Sequence, residues 1–200
     1  GRLEGVADGV FSMDPRTLTS LLRQVDGLAR VVEDLRVVSL ADSGHLDLRI
    51  ETVDLSQVVE ELRDAVEPDL LAAGFQIDWR LEPVVVACDP TRIRQATQAL
   101  LENARAHATP GRLIISTNAH EGLARLCVQD IGPGIPSDRA AQVFEAFRRN
   151  AAYASGTGLG LAVVRAVADA HDGRAFHRST SQGGSLFTVE VPRASYWAEI

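Results

Sequence analysis

From Leu18 onward the apolar residues Leu18, Leu21, Val25, Leu28, Val32 and Leu35 return at alternating spacings of three and four. That is the period of a heptad seam, narrower than the broad stripe of an ordinary surface helix, and a seam of this kind requires other helices against it. The helix opens at Asp14-Pro15, a capping carboxylate followed by proline at the first helical position, where its missing N–H costs nothing. The run Ala41-Asp42-Ser43-Gly44 ends it and is the best domain boundary in the chain. Residues 1–12 are too short to cover the seam, so they read as the tail of a preceding helix. The alternative is a helix packed on its own domain.

Past that boundary the period changes from 3.5 to two. Leu46, Leu48 and Ile50 alternate with polar residues and predict a half-buried strand. Asp54 and Gln57 form a capping-box pair opening a helix to about Val66. Alternation returns at Phe75, Ile77, Trp79 and Leu81, and Val84 to Val86 adds a short strand. Asp89-Pro90 repeats the cap-plus-proline device and starts a helix running to about His107. Strands are expected near Leu113 to Thr117 and Leu123 to Gln129, then a helix near Arg139 to Phe147. A polar, small-residue stretch from Arg148 to Gly156 precedes an apolar helix to Ala170, with Gly173 expected to close it in the left-handed conformation. Strands near Ala175 to Arg178 and Leu186 to Val191 finish the order. The fold class that follows is α/β, a two-layer sandwich of mixed sheet and helices behind a coiled-coil-like helix.

Such a core is within reach of 200 residues that are 46% apolar. Cys88 and Cys127 show no CxxC spacing, which excludes a zinc ribbon or disulfide framework and fits a reducing, cytoplasmic setting. No run of about 18 apolar residues is present, so any membrane attachment lies in segments outside this sequence. The net charge of -7 argues against nucleic acid as a partner.

All twenty basic residues are arginine. Without lysine the chain is neither a P-loop NTPase nor a eukaryotic-type kinase, both of which place a lysine on nucleotide phosphates. In the helix after Asp89-Pro90, Ile93, Ala96, Leu100, Leu101 and Ala104 form the buried stripe, leaving Ala99, Asn103, Ala106 and His107 on a neighbouring face. Asn103 is a mediocre helix former whose carbonyl oxygen suits a hard cation such as Mg2+; taken alone, an asparagine there is more often a solvated surface residue. The strand ending at Gln129 runs into Asp130-Ile131-Gly132-Pro133-Gly134-Ile135-Pro136, a rigid turn that lets backbone approach a ligand closely. Its carboxylate accepts hydrogen bonds only, so a donor such as the exocyclic amine of adenine is its natural partner. A second cluster, Ser155-Gly156-Thr157-Gly158-Leu159-Gly160-Leu161, stands immediately before a helix, where N–H groups can cradle phosphate.

In this order the motifs resemble the ATP-binding domain of sensor histidine kinases, within the broader GHKL ATPase group. Arg92 to His107 looks like the N-box, Asp130 to Pro136 the first glycine box, Val143 to Phe147 the F-box and Gly156 to Leu161 the second glycine box. Val31-Val32-Glu33-Asp34-Leu35 through Asp42-Ser43-Gly44 looks like the end of the second dimerisation helix, and the resemblance extends to about Pro192. It implies a Bergerat ATP-binding fold over residues 45–200 and, over residues 1–44, the last part of a helical hairpin paired through residues 15–41 in a homodimer. It implies ATP and Mg2+ as cofactors and a response regulator as partner, in the cytoplasmic part of a membrane-anchored sensor. By the same resemblance Asp130 recognises adenine beside Gly132 and Gly134, and Asn103 holds Mg2+. Gly156, Thr157, Gly158, Leu159 and Gly160 surround the nucleotide, and Arg148 and Arg149 reach phosphate from a lid spanning Arg148 to Gly156.

Several positions depart from the family pattern. Ala99 stands where a second asparagine is frequent, Ala106 where lysine often meets phosphate, and His107 where tyrosine is frequent beside adenine. None of His45, His107, His120, His171 and His177 is followed by the acidic residue, leucine, arginine and proline of the phosphoacceptor motif, so no catalytic histidine is expected within the chain. Each reads as structural, with His171 placed to complement a helix dipole. The expected activity is transfer of the ATP γ-phosphate to a histidine outside these residues. The competing readings are a non-catalytic nucleotide-binding regulator, which the two alanines favour, and another GHKL enzyme, which the heptad helix disfavours.

Overall fold

The computed structural model describes residues 15–140, 142–147, 157–181 and 183–193. A long helix, α1 (Pro15–Asp42), ends on Ser43 and Gly44, where Gly44 takes φ +71. The remainder is β1 (Glu51–Asp54), α2 (Leu55–Glu60), α3 (Arg63–Ala72), β2 (Gln76–Leu81), β3 (Val85–Cys88), α4 (Pro90–His107), β4 (Arg112–His120), β5 (Leu123–Gln129), α5 (Ser137–Ala140), α6 (Gly160–Ala170), β6 (Arg174–Ser179) and β7 (Ser185–Pro192). Strands β2-β4-β5-β7-β6 form one sheet in that order, parallel between β2 and β4 and antiparallel elsewhere. Strands β1 and β3 pair separately. The two-layer α/β architecture expected from the alternating patterns is the one observed.

Register explains which face is core. Leu113 and Ile115 of β4, Ala124, Leu126 and Val128 of β5, and Phe187, Val189 and Val191 of β7 are all buried, and they meet the buried stripe of α4 and the apolar side of α6. The opposite face carries charge ladders. Glu190 is fully buried between Arg125 and Arg174, each 2.5 Å away and each its direct cross-strand neighbour. Burial alone would raise its carboxyl, but the two guanidiniums hold it below the ordinary carboxylate range. Asp78 similarly lies 2.7 Å from Arg80 and 2.6 Å from Arg112, which hold it down to about 2.

The second half of helix α1 packs on the sandwich. Val37 and Val38 are buried, and a polar row joins it to α4: Arg30 with Glu102, Glu33 with Arg92 at 2.9 Å, and Asp34 with Gln95 at 3.2 Å. The heptad seam faces outward. Leu18, Val25, Leu28, Val32 and Leu35 are 46–66% exposed, and only Leu21 is buried. The start of this helix at residue 14 and the tail over residues 1–12 lie outside the described residues.

Several expected elements differ. Leu46, Leu48 and Ile50 form no ladder: the segment is tied to the cap of α4, with the Arg49 N–H donating to Asp89 Oδ2 at 2.9 Å, and strand pairing begins at Glu51. The helix after Asp54 is two helices broken at Glu61 and Leu62, reaching Ala72. Asp54 caps it as expected, accepting from Ser56 N–H at 2.9 Å. Of the helix expected over 139–147, Ser137–Ala140 is helical and residues 142–147 are turns, ending at Phe147, which adopts φ +62 and donates its N–H to Gly158 O. At the end of α6 the left-handed residue is Asp172 at φ +54, not Gly173. Gly173 is required for a different reason: a Cβ there would lie 2.0 Å from Glu190 O.

Candidate functional site

The site is organised by the last two turns of α4. That helix starts where the sequence indicates, with Asp89 Oδ1 accepting from the N–H groups of Thr91 and Arg92 at 2.9 and 3.1 Å. Helix α6 runs antiparallel to it. At one end Gly160 packs on Ala99, where a Cβ would meet the alanine Cβ at 3.8 Å. At the other, the Asp89 N–H donates to His171 Nε2 at 2.9 Å. Ala99 is therefore buried, belonging to the packed stripe and not to the face beside Asn103. The antiparallel packing brings the loop before α6, with Thr157, Gly158 and the buried Leu159, toward the turn that carries Asn103. Thr157 Oγ1 accepts from Leu159 N–H at 3.3 Å, and the Gly158 carbonyl takes the Phe147 N–H at 2.9 Å.

The first glycine loop closes on the other side of the same helix end. A Cβ on Gly132 would stand 3.2 Å from both Ala108 Cα and Thr109 N, so the loop lies directly on the chain leaving α4. Asp130 heads this loop and is 6% exposed. Its Oδ1 accepts the Gly132 N–H at 2.7 Å and the Ser185 N–H at 3.2 Å, while its own N–H donates to Ser185 O at 2.9 Å. One oxygen of the carboxylate is thus fixed by backbone donors. Asn103 and His107, four residues apart on α4, are half-buried, and burial pushes the imidazole of His107 below its ordinary range.

Thr157, Gly158, Leu159 and Gly160 therefore lie along the half of α4 that carries Asn103 and His107, while Asp130, Gly132 and Gly134 belong to the loop that meets the chain leaving that helix. Arg148, Arg149, Gly156 and the expected lid lie outside the described residues. His171 is structural, as expected, but not as a dipole-complementing cation. Its Nε2 accepts a backbone N–H, so Nδ1 carries the proton toward Val167 O at 2.7 Å, and burial pushes the ring below its ordinary pKa. Among the described residues no group of three His, Cys, Asp or Glu could hold a metal, and no helix is long and apolar enough to cross a membrane.

Comparison with known proteins fits this arrangement. Residues 88–195 match the family described as histidine kinase-, DNA gyrase B- and HSP90-like ATPase, a span holding α4 and both glycine loops. The chain belongs to this family. Within it, the chain is a sensor histidine kinase catalytic domain. It is similar to the signal transduction histidine-protein kinase BaeS of Escherichia coli, 33% identical over 96% of this chain and 42% of that protein. It is likewise similar to the probable sensor histidine kinase TcrY of Mycobacterium tuberculosis, 37% identical over 90% of this chain and 39% of that protein. The chain thus spans about two fifths of the length of these curated relatives. Among solved structures, the Acinetobacter baumannii histidine kinase AdeS superposes with a TM-score of 0.79 at 36% identity, covering 97% of this chain and 92% of that one. Full-length ShkA in complex with AMPPNP gives 0.78 at 26% identity, covering 92% of this chain and 40% of that one.

Three features of this kinase domain escape the motif reading. Gly183 and Gly184 form the turn into β7 at φ +79 and +88, and a Cβ on Gly184 would lie 2.2 Å from Asp130 O. Ser185 follows and supplies a donor to the Asp130 carboxylate. A double glycine before an alternating strand is a readable turn signal, but its contact with residue 130 arises only from the pairing of β5 with β7. His177 on β6 is the third; its place beside Asp130 depends on strand order, for which the sequence carries no local signal.

Proposed function

We propose that this domain binds Mg-ATP between α4 and the two glycine loops and transfers the γ-phosphate to a histidine on a dimerisation hairpin, from which it passes to a response regulator. The observation that carries the reading is the placement of the Gly158 loop along the half of α4 that carries Asn103, and of Asp130 on the loop that meets the chain leaving that helix. Asp130 takes the adenine amine, since a buried carboxylate whose one oxygen is already occupied by backbone donors presents the other as an oriented acceptor. Asn103 fits Mg2+: a hard carbonyl oxygen on a half-buried helix turn is one protein ligand, and Mg2+ characteristically completes its shell with water and substrate phosphates. When bound, the ion neutralises charge on the transferring phosphoryl group. The loop before α6 offers N–H groups to phosphate, and Arg148 and Arg149 are assigned the lid contact by the resemblance. That ShkA was solved with AMPPNP supports a nucleotide as the ligand.

Residues 1–44 are the end of the hairpin and residues 45–200 the catalytic domain in this reading, in the cytoplasmic part of a membrane-anchored sensor. The exposed seam from Leu18 to Leu35 supports pairing through residues 15–41 in a homodimer. The rival reading, a nucleotide-binding regulator without transfer, drew on Ala99 and Ala106. Ala99 now has a packing reason in its contact with Gly160, which leaves Ala106 alone. Calorimetric titration with ATP and Mg2+ tests the binding half; no heat at millimolar nucleotide overturns it. Incubation with radiolabelled ATP and a separately supplied dimerisation domain tests the transfer half. Acid-labile label is expected on the added domain and not on this chain, and label on neither, with ATP bound, favours the regulator.

A further inference from the structure

In the row of the inner face that crosses the middle of β5 and β7, the side chains are apolar until β6. Val128 of β5, Phe187 of β7 and His177 of β6 are direct cross-strand neighbours in one row. The next row toward the site is Asp130, Ser185 and Ser179, with Ser185 and Ser179 paired in register and Ser179 Oγ donating to Ile135 O at 3.2 Å. His177 therefore lies one row below Asp130 and across β7 from it, close enough to feel its charge, with its ring 5.1 Å from that of Phe187. Both ring nitrogens are buried, and neither has a hydrogen-bond partner among the described residues. A neutral imidazole carries one donor and one acceptor, and leaving either buried and unpaired is destabilising. An apolar side chain would complete this row without that cost. The polar ring calls for a partner that the described residues do not supply.

We propose that His177 is a second base-reading residue of the nucleotide site, its ring N–H donating, directly or through one water, to N1 of the adenine whose amine Asp130 accepts. The inference rests on the assignment of Asp130 to adenine. N1 adjoins the amine on the same edge of the base, so a donor beside Asp130 faces it. Donor and acceptor side by side match the amine and N1 of adenine and mismatch guanine, which presents a carbonyl and an N–H there. Burial favours the neutral ring, whose single proton is what this role requires, while the Asp130 carboxylate acts weakly the other way.

Calorimetric titration of wild type, His177→Val and His177→Asn with ADP and with 1-deaza-ADP, in EDTA, tests this. His177→Val should weaken ADP binding about three- to tenfold, the range of one neutral hydrogen bond. His177→Asn, which keeps a donor, should recover part of it. 1-Deaza-ADP lacks the N1 acceptor and should bind wild type and His177→Val equally. The thermal midpoint of ligand-free His177→Val should equal or exceed that of wild type. Equal ADP affinity for wild type and His177→Val, or an equal loss with 1-deaza-ADP, overturns the role of His177 while an Asp130→Ala defect leaves the site assignment standing. Absence of ADP binding by wild type overturns both. Independently of any variant, the ring nitrogen resonances of His177 should shift when ADP is added, and unchanged resonances reject the proposal.

Discussion

The two ends of the cleft are built in different ways. At the Asp130 end, three stretches of backbone meet without room for a side chain: Gly132 lies on Ala108 and Thr109, Gly184 on the Asp130 carbonyl, and two N–H groups fix the carboxylate. At the Asn103 end, a helix face presents half-buried and exposed side chains, with Ala106 and Arg105 open to solvent. The Asp130 end, proposed to take the base, is part of the core, and the Asn103 end, proposed to take the phosphates, is a surface added to a core helix. Damage to the first should therefore cost stability and binding of every adenine nucleotide together, whereas damage to the second should cost only the interaction that the lost side chain made.

Gly184→Ala is expected to have the largest effect. It places a Cβ 2.2 Å from a backbone oxygen that pairing of β5 with β7 holds in place, at a φ of +88 where alanine is strained in any case. Unfolding free energy should fall by about 3 kcal/mol or more. Gly183→Ala is the control: φ is +79, but its Cβ would find its nearest neighbour at 3.7 Å, so only the strain of about 1–2 kcal/mol remains. Chemical denaturation of the two variants separates crowding from strain, and equal losses would show that the turn does not abut Asp130 as described.

Next in size is Asp130→Ala. A hydrogen bond to a charged group contributes about 1.5–3 kcal/mol, so affinity should fall roughly 10- to 150-fold. In the proposed site the base is touched whether or not metal is present, so the loss should be the same for ATP and ADP, with Mg2+ or with EDTA. Asn103→Ala removes one uncharged ligand and should weaken Mg-ATP about tenfold, with little change once Mg2+ is chelated. Isothermal titration in the two buffers gives two patterns of loss. An undiminished Asn103→Ala defect in EDTA would show that the two ends are not chemically distinct.

The same contrast explains what could be read from the sequence. Capping signals and periodicity are local, so α4 is bounded at Pro90 and His107 as expected and the strands from β2 to β7 fall where alternation places them. Motif chemistry is local too: Asn103 falls on α4, Asp130 directly after β5 and Gly158 just before α6. What escaped depends on partners distant in sequence. The alternation at Leu46 to Ile50 has no strand beside it. Ala99 looks like a vacant site position until Gly160 is packed on it, and Gly184 and His177 acquire roles only through the order β5-β7-β6. The heptad seam was legible as a surface requiring partners, and within this chain it is left exposed.

The smallest expected effect concerns the far end of the two phosphate-end helices, where His171 joins the close of α6 to the cap of α4. Its Nε2 accepts the Asp89 N–H and its Nδ1–H donates to Val167 O, so the fold uses one tautomer of the neutral ring. A second proton on Nε2 would face a backbone donor, and burial further disfavours the cation, while Asp89 and Asp172 offset this only in part. The native ring therefore titrates below the ordinary value of 6.5 that the unfolded chain retains. As pH falls through that value the unfolded state takes up a proton that the native state declines, so stability decreases with decreasing pH until the native ring is protonated too. Carboxylates held below their ordinary range, such as Asp89 and Glu190, add their own loss only at lower pH, from about 4.5 downward. Denaturation between about pH 7.5 and 5.5 should consequently show a decline that is shallower in His171→Gln than in wild type. It should not vanish in that variant, because burial holds His107 and His177 neutral in the same direction. A wild-type slope retained in full by His171→Gln would mean that the ring is not locked between Asp89 and Val167.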